Sequence, residues 1–340
     1  MPAVLVTRRG ALLALAALGT ACSEARGDGS PSPSPPSLPA PPPPSGAPST
    51  GPVAPINAAS NEGARVEGLE RVRERLRPLH ERPARPKAGE WRAEHPEERG
   101  QTFEQYLRSR PTLPDGARKV LAIQPLGDFT PTQRRIVTLV ADYMGRHFRL
   151  ETRVLPDASL SAVPASARRK HPQWGDKQIL TTHVLERVLR PSLPADAAAL
   201  IAFTASDLWP GGGWNFVFGQ ADLRARVGVW SIYRNGNPDA GPEAFKLALL
   251  RAMRIAVHET GHMFSLEHCT AYRCVQAGVN SLEEADRAPL WLCPECEVKV
   301  AWATRSDPKE RLRGMGEFCK AQGLEREAAF FARSLATLGS

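Results

Sequence analysis

His258, Glu259, His262 and His268 fall inside one run of eleven residues, His258-Glu259-Thr260-Gly261-His262-Met263-Phe264-Ser265-Leu266-Glu267-His268. On a helix, positions i and i+4 share a face, so His258 and His262 can offer imidazole nitrogens to one metal ion. Glu259, next along the turn, then leans over an open coordination position. His268 follows His262 by six residues, and a continuing helix would carry it away from that face. For His268 to complete the set, the chain must leave the helix near Ser265 and double back. Three neutral imidazoles leave a zinc ion its full charge and one open site where a bound water is activated. Glu259 would take the proton as that water attacks a polarised carbonyl.

Cys269 and Cys274 come directly afterwards, and Cys293-Pro294-Glu295-Cys296 supplies two more thiols. Four cysteines in two close pairs have the spacing of a structural zinc site. Two disulfides in an exported chain would use the same residues differently. If residues 268 and 269 are extended, their side chains point to opposite sides and serve different ions. The expectation is two zinc ions, one catalytic and one structural.

These residues resemble the archaemetzincins, whose hallmark is a three-histidine metzincin motif running straight into a four-cysteine zinc site. Asn280-Ser281-Leu282-Glu283-Glu284-Ala285-Asp286-Arg287, then Pro289-Leu290, is similar to the family's connecting segment. Upstream, Gln124-Pro125-Leu126-Gly127-Asp128-Phe129, Asp207-Leu208-Trp209-Pro210 and Asn215-Phe216-Val217-Phe218-Gly219-Gln220-Ala221 are similar to family elements in the same order. The resemblance implies an α/β, metzincin-like zinc peptidase domain with a mixed sheet, an active-site helix and a zinc-stabilised C-terminal subdomain. It implies a peptide or protein substrate, laid against a rim strand at Phe216 to Ala221. Two positions depart from the pattern. Ser265 stands where the family has glycine in the turn after the helix, and Gln276 stands where metzincins place a methionine beneath the metal. A positive φ at Ser265 would cost of order 1 kcal/mol relative to glycine, and a buried Gln276 amide would need partners.

The elements that must position these groups are also legible. Val120-Leu121-Ala122-Ile123 is a short apolar run, followed by a helical pattern over 131–147 and alternating Phe148, Leu150, Thr152 and Val154, the start of a β-α-β unit. The pattern predicts a second helix over 176–189 and strands at 198–204, 216–219 and 227–233. Gly211-Gly212-Gly213 lacks a phosphate-loop ending and reads as a flexible connection. Gly241-Pro242-Glu243 starts the helix carrying the histidines, with Phe245, Leu249, Ala252 and Ala256 on its apolar face and His258 and His262 well off it. Two closing helices are expected over 307–320 and 322–337, with Cys319 a small buried residue.

The 340 residues are 42% hydrophobic, enough for a substantial core. A formal charge of +8 does not make a nucleic-acid groove, because Arg and Lys are mixed with Glu and Asp throughout. Residues 1–22 read as an export signal, with Arg8-Arg9 before an apolar run too short to span a bilayer. Leu18-Gly19-Thr20-Ala21-Cys22 resembles a lipoprotein processing box, which would place a lipid anchor on Cys22 at a bacterial membrane or periplasm. Residues 23–60 are a Pro/Ser-rich linker, 61–115 a charged N-terminal extension and 116–340 the metallopeptidase domain. In the extension, Val66, Leu69, Val72 and Leu76 recur at helical spacing. Its His80 and His95 read as solvated side chains, and His171 and His183 as surface or packing residues. The competing functional readings are a zinc-stabilised binding protein on the same fold whose chemistry has decayed, and a zinc-ribbon interaction module using only the cysteines. Glu259 favours the enzyme, since a binding protein has no need of a base there.

Overall fold

The computed structural model describes residues 56–212 and 214–339, with side chains from residue 61. The export signal, the Cys22 box, the linker up to residue 55 and Gly213 lie outside the described residues. The extension opens with helix α1 (Ile56–Leu76), short α2 (Trp91–Glu94) and α3 (Phe103–Arg108), the last started by a Thr102/Gln105 capping box. Next come β1 (Val120–Leu126), α4 (Pro131–Phe148) and β2 (Glu151–Val154). After β3 (Arg168–Lys170) and β4 (Lys177–Leu180), a helical segment, α5, begins at Thr181–His183 and continues with π-type winding over Val184–Leu189. Strands β5 (Ala197–Thr204), β6 (Asp207–Trp209), β7 (Gly219–Asp222) and β8 (Val227–Ser231) precede the long α6 (Pro242–Met263). The chain ends with α7 (Leu282–Arg287), α8 (Pro294–Ala303), α9 (Pro308–Ala321) and α10 (Glu325–Thr337).

A five-stranded mixed sheet has the order β2-β1-β5-β8-β7, parallel except for the antiparallel edge strand β7. Every residue of β1 and β5 is buried, as strands covered on both faces require. Alternation sorts their side chains: Leu121, Ile123, Ile201 and Phe203 join the core shared with α4 and α6, while Ala122, Leu200 and Ala202 join Val184 and Leu189 of α5 on the other face. The helix α6 therefore lies on a rigid bed, with Leu249, Ala252, Met253 and Ala256 buried beneath it.

Three local expectations change. Residues 177–180 form β4 rather than the start of a helix, because they pair with β6 and β3 in a separate three-stranded sheet. The strand expected at 216–219 begins at Gly219; before it, only Val217 bridges to Leu208. The alternating run from Phe148 starts one turn later, because Phe148 still ends α4 and Arg149 takes a left-handed conformation, φ 52°.

The extension shares the core of the rest of the chain. Leu76 and Tyr106 are buried in one cluster with Leu121 and Met263, and α1 packs along α8, where Arg65 donates to the carbonyls of Ala301 and Trp302 at 2.9 Å each. The far side of α8 is fixed by the buried pair Arg311 and Glu297, 2.8 Å apart, which joins α9 to the residue after Cys296. Replacing one partner strands the other charge in the interior. Arg311→Met is expected to lower stability by about 3–5 kcal/mol, with Arg311→Met/Glu297→Leu recovering most of it; urea unfolding of the two variants measures both.

Candidate metal centres and active site

Helix α6 delivers His258 and His262 from one face, and their Nε2 atoms stand 3.1 Å apart. A tetrahedral zinc ion with Zn–N bonds near 2.05 Å holds its nitrogen ligands about 3.3 Å apart, so the pair fits. The helix ends at Met263 and the chain reverses through Ser265 at φ 66°, as the doubling back requires. Leu266 N–H donates to Gly261 O at 3.0 Å and Ser265 N–H to His262 O at 2.8 Å, closing the helix on a left-handed residue usually supplied by glycine. The serine hydroxyl gains a partner there, accepting from Thr112 N–H at 3.0 Å. The reversal brings His268 back, and one ligand nitrogen from each of the three histidines lies within 4.8 Å of the others.

Each ring is turned by an acceptor near its Nδ1. His258 meets Val275 O at 2.9 Å, His262 meets Leu266 O at 2.6 Å, and His268 meets both carboxylate oxygens of Glu98 at 3.1 Å. An Nδ1–H donor leaves Nε2 with its lone pair, the form a metal needs. Burial, with His268 alongside, lowers the His258 pKa to about 3, which keeps that ring neutral. Burial pushes the Glu98 carboxyl up, but hydrogen bonds from His268 and Trp91 Nε1 outweigh it and hold the group below its ordinary value. Glu259 is not among the converging ligands. It lines the cavity beside them, where burial raises its pKa to about 8.

The sulfurs of Cys269, Cys274, Cys293 and Cys296 also lie within 4.8 Å of one another, all buried. None is disulfide-bonded, and Cys269 and Cys293 stand 3.5 Å apart, against about 2.05 Å for a disulfide and about 3.8 Å for two thiolates on a tetrahedral zinc. Cys274 Sγ accepts from the N–H groups of Gln276 and Cys293 at 3.4 and 3.2 Å, and Cys293 and Cys296 occupy the start of α8, whose positive end favours thiolates. His268 and Cys269 thus belong to two separate groups, as extended neighbours should. Cys319 is buried outside both.

Gln276 is fully buried beneath α6. Its Nε2 donates to His258 O at 3.2 Å, while Oε1 has no partner among the described residues. The amide fits only because residue 261 is glycine: a Cβ there would stand 2.3 Å from Oε1.

The extension holds residues to which the sequence gave no site role. Glu98 meets His268, the buried Trp91 ring lies edge-on to His268 with centroids 4.9 Å apart, and Tyr106 Oη donates to Phe264 O at 2.7 Å in the reversal. His95 is not solvated; its ring lies tilted over Trp91 with centroids 3.9 Å apart, and His80 packs edge-on against Phe330 at 5.2 Å. His171 is a packing residue on Trp174, and His183 is half-buried with its Nε2 3.3 Å from Ala162 O. Glu98→Ala is expected to weaken zinc binding at the histidines by about 10- to 100-fold, with Glu98→Gln intermediate; competition against a chelator measures it.

The description Peptidase family M54 fits residues 197–301. Archaemetzincin-2 of Rattus norvegicus is 32% identical over 257 residues, covering 66% of this chain and 71% of the rat protein. The archaemetzincin of Archaeoglobus fulgidus is 33% identical over 182 residues, 53% of this chain and 98% of that one. The crystal structure of archaemetzincin from Methanopyrus kandleri matches with 26% identity and a TM-score of 0.43, over 56% of this chain and 97% of that chain. The chain belongs to the archaemetzincin family of zinc metallopeptidases.

Proposed function

We propose that the chain hydrolyses peptide bonds at the histidine centre, with His258, His262 and His268 holding a zinc ion and Glu259 as general base. A second zinc ion, with a structural role, would sit among Cys269, Cys274, Cys293 and Cys296. The observation that carries this reading is the convergence of three imidazoles, each with its Nδ1 beside an acceptor, next to a carboxylate that is free of the ligand set. When bound, zinc supplies Lewis-acid polarisation of the carbonyl and a water acidic enough to lose a proton near neutral pH.

The remaining work belongs to the protein. Glu259 takes the proton from the attacking water and returns it to the leaving amine. Its burial limits competing solvent and strengthens its attraction for a cation held beside it. Strand β7 is the edge of the sheet next to α6, antiparallel to β8 and with no second strand partner among the described residues, so an extended peptide can add to it by main-chain hydrogen bonds. The four sulfurs hold the segment 268–276 on α8, which supports a structural rather than catalytic role for that ion.

Export and a lipid anchor at Cys22, ahead of the proline-rich linker, complete the proposal on the strength of the sequence alone. Cys22→Ala should release the protein from the membrane fraction; a native protein already free after export would remove the anchor from the reading.

Glu259→Ala tests the mechanism. It should keep two zinc ions per chain by elemental analysis and lose about 10²- to 10⁴-fold in peptidase rate. Unchanged activity would refute the assignment of Glu259. A zinc-loaded native protein that cleaves nothing in a diverse peptide library, even as Gln276→Met, would instead favour a binding protein on this fold.

A further inference from the structure

Beside the histidine centre, the cavity that Glu259 lines runs back along α6, and its walls are apolar between the histidine end and an arginine end. Trp91, Phe218, Ile255, Val279 and Leu282 form the walls, and Arg251 and Arg254 line it as well. The helix explains the order. Residues 251, 254, 255, 258 and 259 are spaced i, i+3, i+4, i+7 and i+8, one face of α6. Arg254 therefore sits about 6 Å along the axis from His258, the reach of a side chain lying next to the scissile bond.

The two guanidinium groups are unequally satisfied. Asp286 takes Arg251 through both oxygens, at 2.9 and 2.5 Å, and is left 3.8 Å from Arg254, beyond hydrogen-bond length. The Arg254 side chain is only 8% exposed, and its Nε has no partner among the described residues. A buried, incompletely paired guanidinium is costly, and such groups are kept where something pairs with them. Burial disfavours the charged form of Arg254 most; Glu327 and then Asp286 favour that form, and Arg326 and Arg251 oppose it. With Arg254 itself, three cations face two acids. Glu259 is the acid that lines the cavity, and it stands at the opposite, histidine end.

We propose that this cavity is the specificity pocket for an acidic side chain, so that the enzyme cuts beside glutamate or aspartate, with Arg254 as the determinant. The inference rests on the peptidase reading above. The apolar walls take the methylenes of the substrate side chain, and its carboxylate completes the hydrogen bonding of Arg254 in a site shielded from water. A carboxamide of the same shape cannot supply the charge, and leucine leaves the guanidinium unpaired.

The experiment uses the full-length zinc-loaded protein and peptides carrying Glu, Gln or Leu at each of the two residues flanking the cleaved bond. At one of these positions, kcat/KM for Glu should exceed that for Gln by about tenfold or more, and that for Leu by at least as much. Arg254→Met should erase the preference and Arg254→Lys should retain part of it. A wild-type enzyme that cleaves the Gln or Leu peptides as well as the Glu peptide overturns the pocket assignment, and this comparison stands even if Arg254→Met fails to fold. Calorimetric binding of the same peptides to zinc-loaded Glu259→Ala protein separates the two readings. Tighter binding of the Glu peptide without cleavage by the wild type would sink the peptidase mechanism and keep the pocket, whereas cleavage together with equal binding and equal rates would do the reverse.

Discussion

Three imidazoles can present the same nitrogen to one point only if something turns each ring from its far side. Here that constraint falls on Val275 O, Leu266 O and Glu98, and much of the surrounding architecture serves to place these acceptors. Leu266 O is positioned by the left-handed turn at Ser265, which Tyr106 and Thr112 brace from the extension. Val275 O is positioned by the segment leaving Cys274, whose sulfur is tied to α8. Glu98 is positioned by Trp91, whose ring lies so close to the backbone at residue 278 that a Cβ there would stand 2.3 Å from it.

The two candidate metal centres are consequently one mechanical unit. The segment 268–276 carries a histidine at its start, two cysteines within it, and Gln276 at its end. Gln276 accepts from Cys269 N–H through its main-chain oxygen at 2.8 Å, donates its own N–H to Cys274 Sγ, and holds the α6 backbone through its side chain. A thioether at this position would fill space beneath the histidines. The amide adds a hydrogen bond to His258 O and leaves one oxygen without a partner among the described residues, a local cost of about 1–3 kcal/mol.

What could be read from the sequence was local. The eleven-residue histidine run, the cysteine spacing, and helices such as 131–148 and 308–321 declare themselves through periodicity over neighbouring residues. A turn near Ser265 could be foreseen because the chain had to reverse within a fixed number of residues, and its positive φ was implied by the glycine that the family resemblance places there. Glu98 and Trp91 could not be foreseen. They lie 170 and 177 residues from His268 in a charged stretch where only short matches such as Gly89-Glu90-Trp91 resemble the family, with no site role attached, and only folding brings them to the site. Residues 177–180 were misleading for a related reason: an amphipathic stretch of four to eight residues suits helix or strand, and pairing with the distant β6 settled it.

The three acceptors differ in what mutation can reach. Two are main-chain carbonyls, which every amino acid supplies, so substitutions at 266 or 275 change the packing but never remove the oxygen. Glu98 is a side chain, and a single codon change deletes it, shortens it or makes it neutral. Over evolutionary time the electron-donating strength of His258 and His262 is therefore nearly frozen, while that of His268 remains adjustable. A lineage that needed a weaker or tighter grip on its metal would find that freedom in the extension, outside the motif by which the family is recognised.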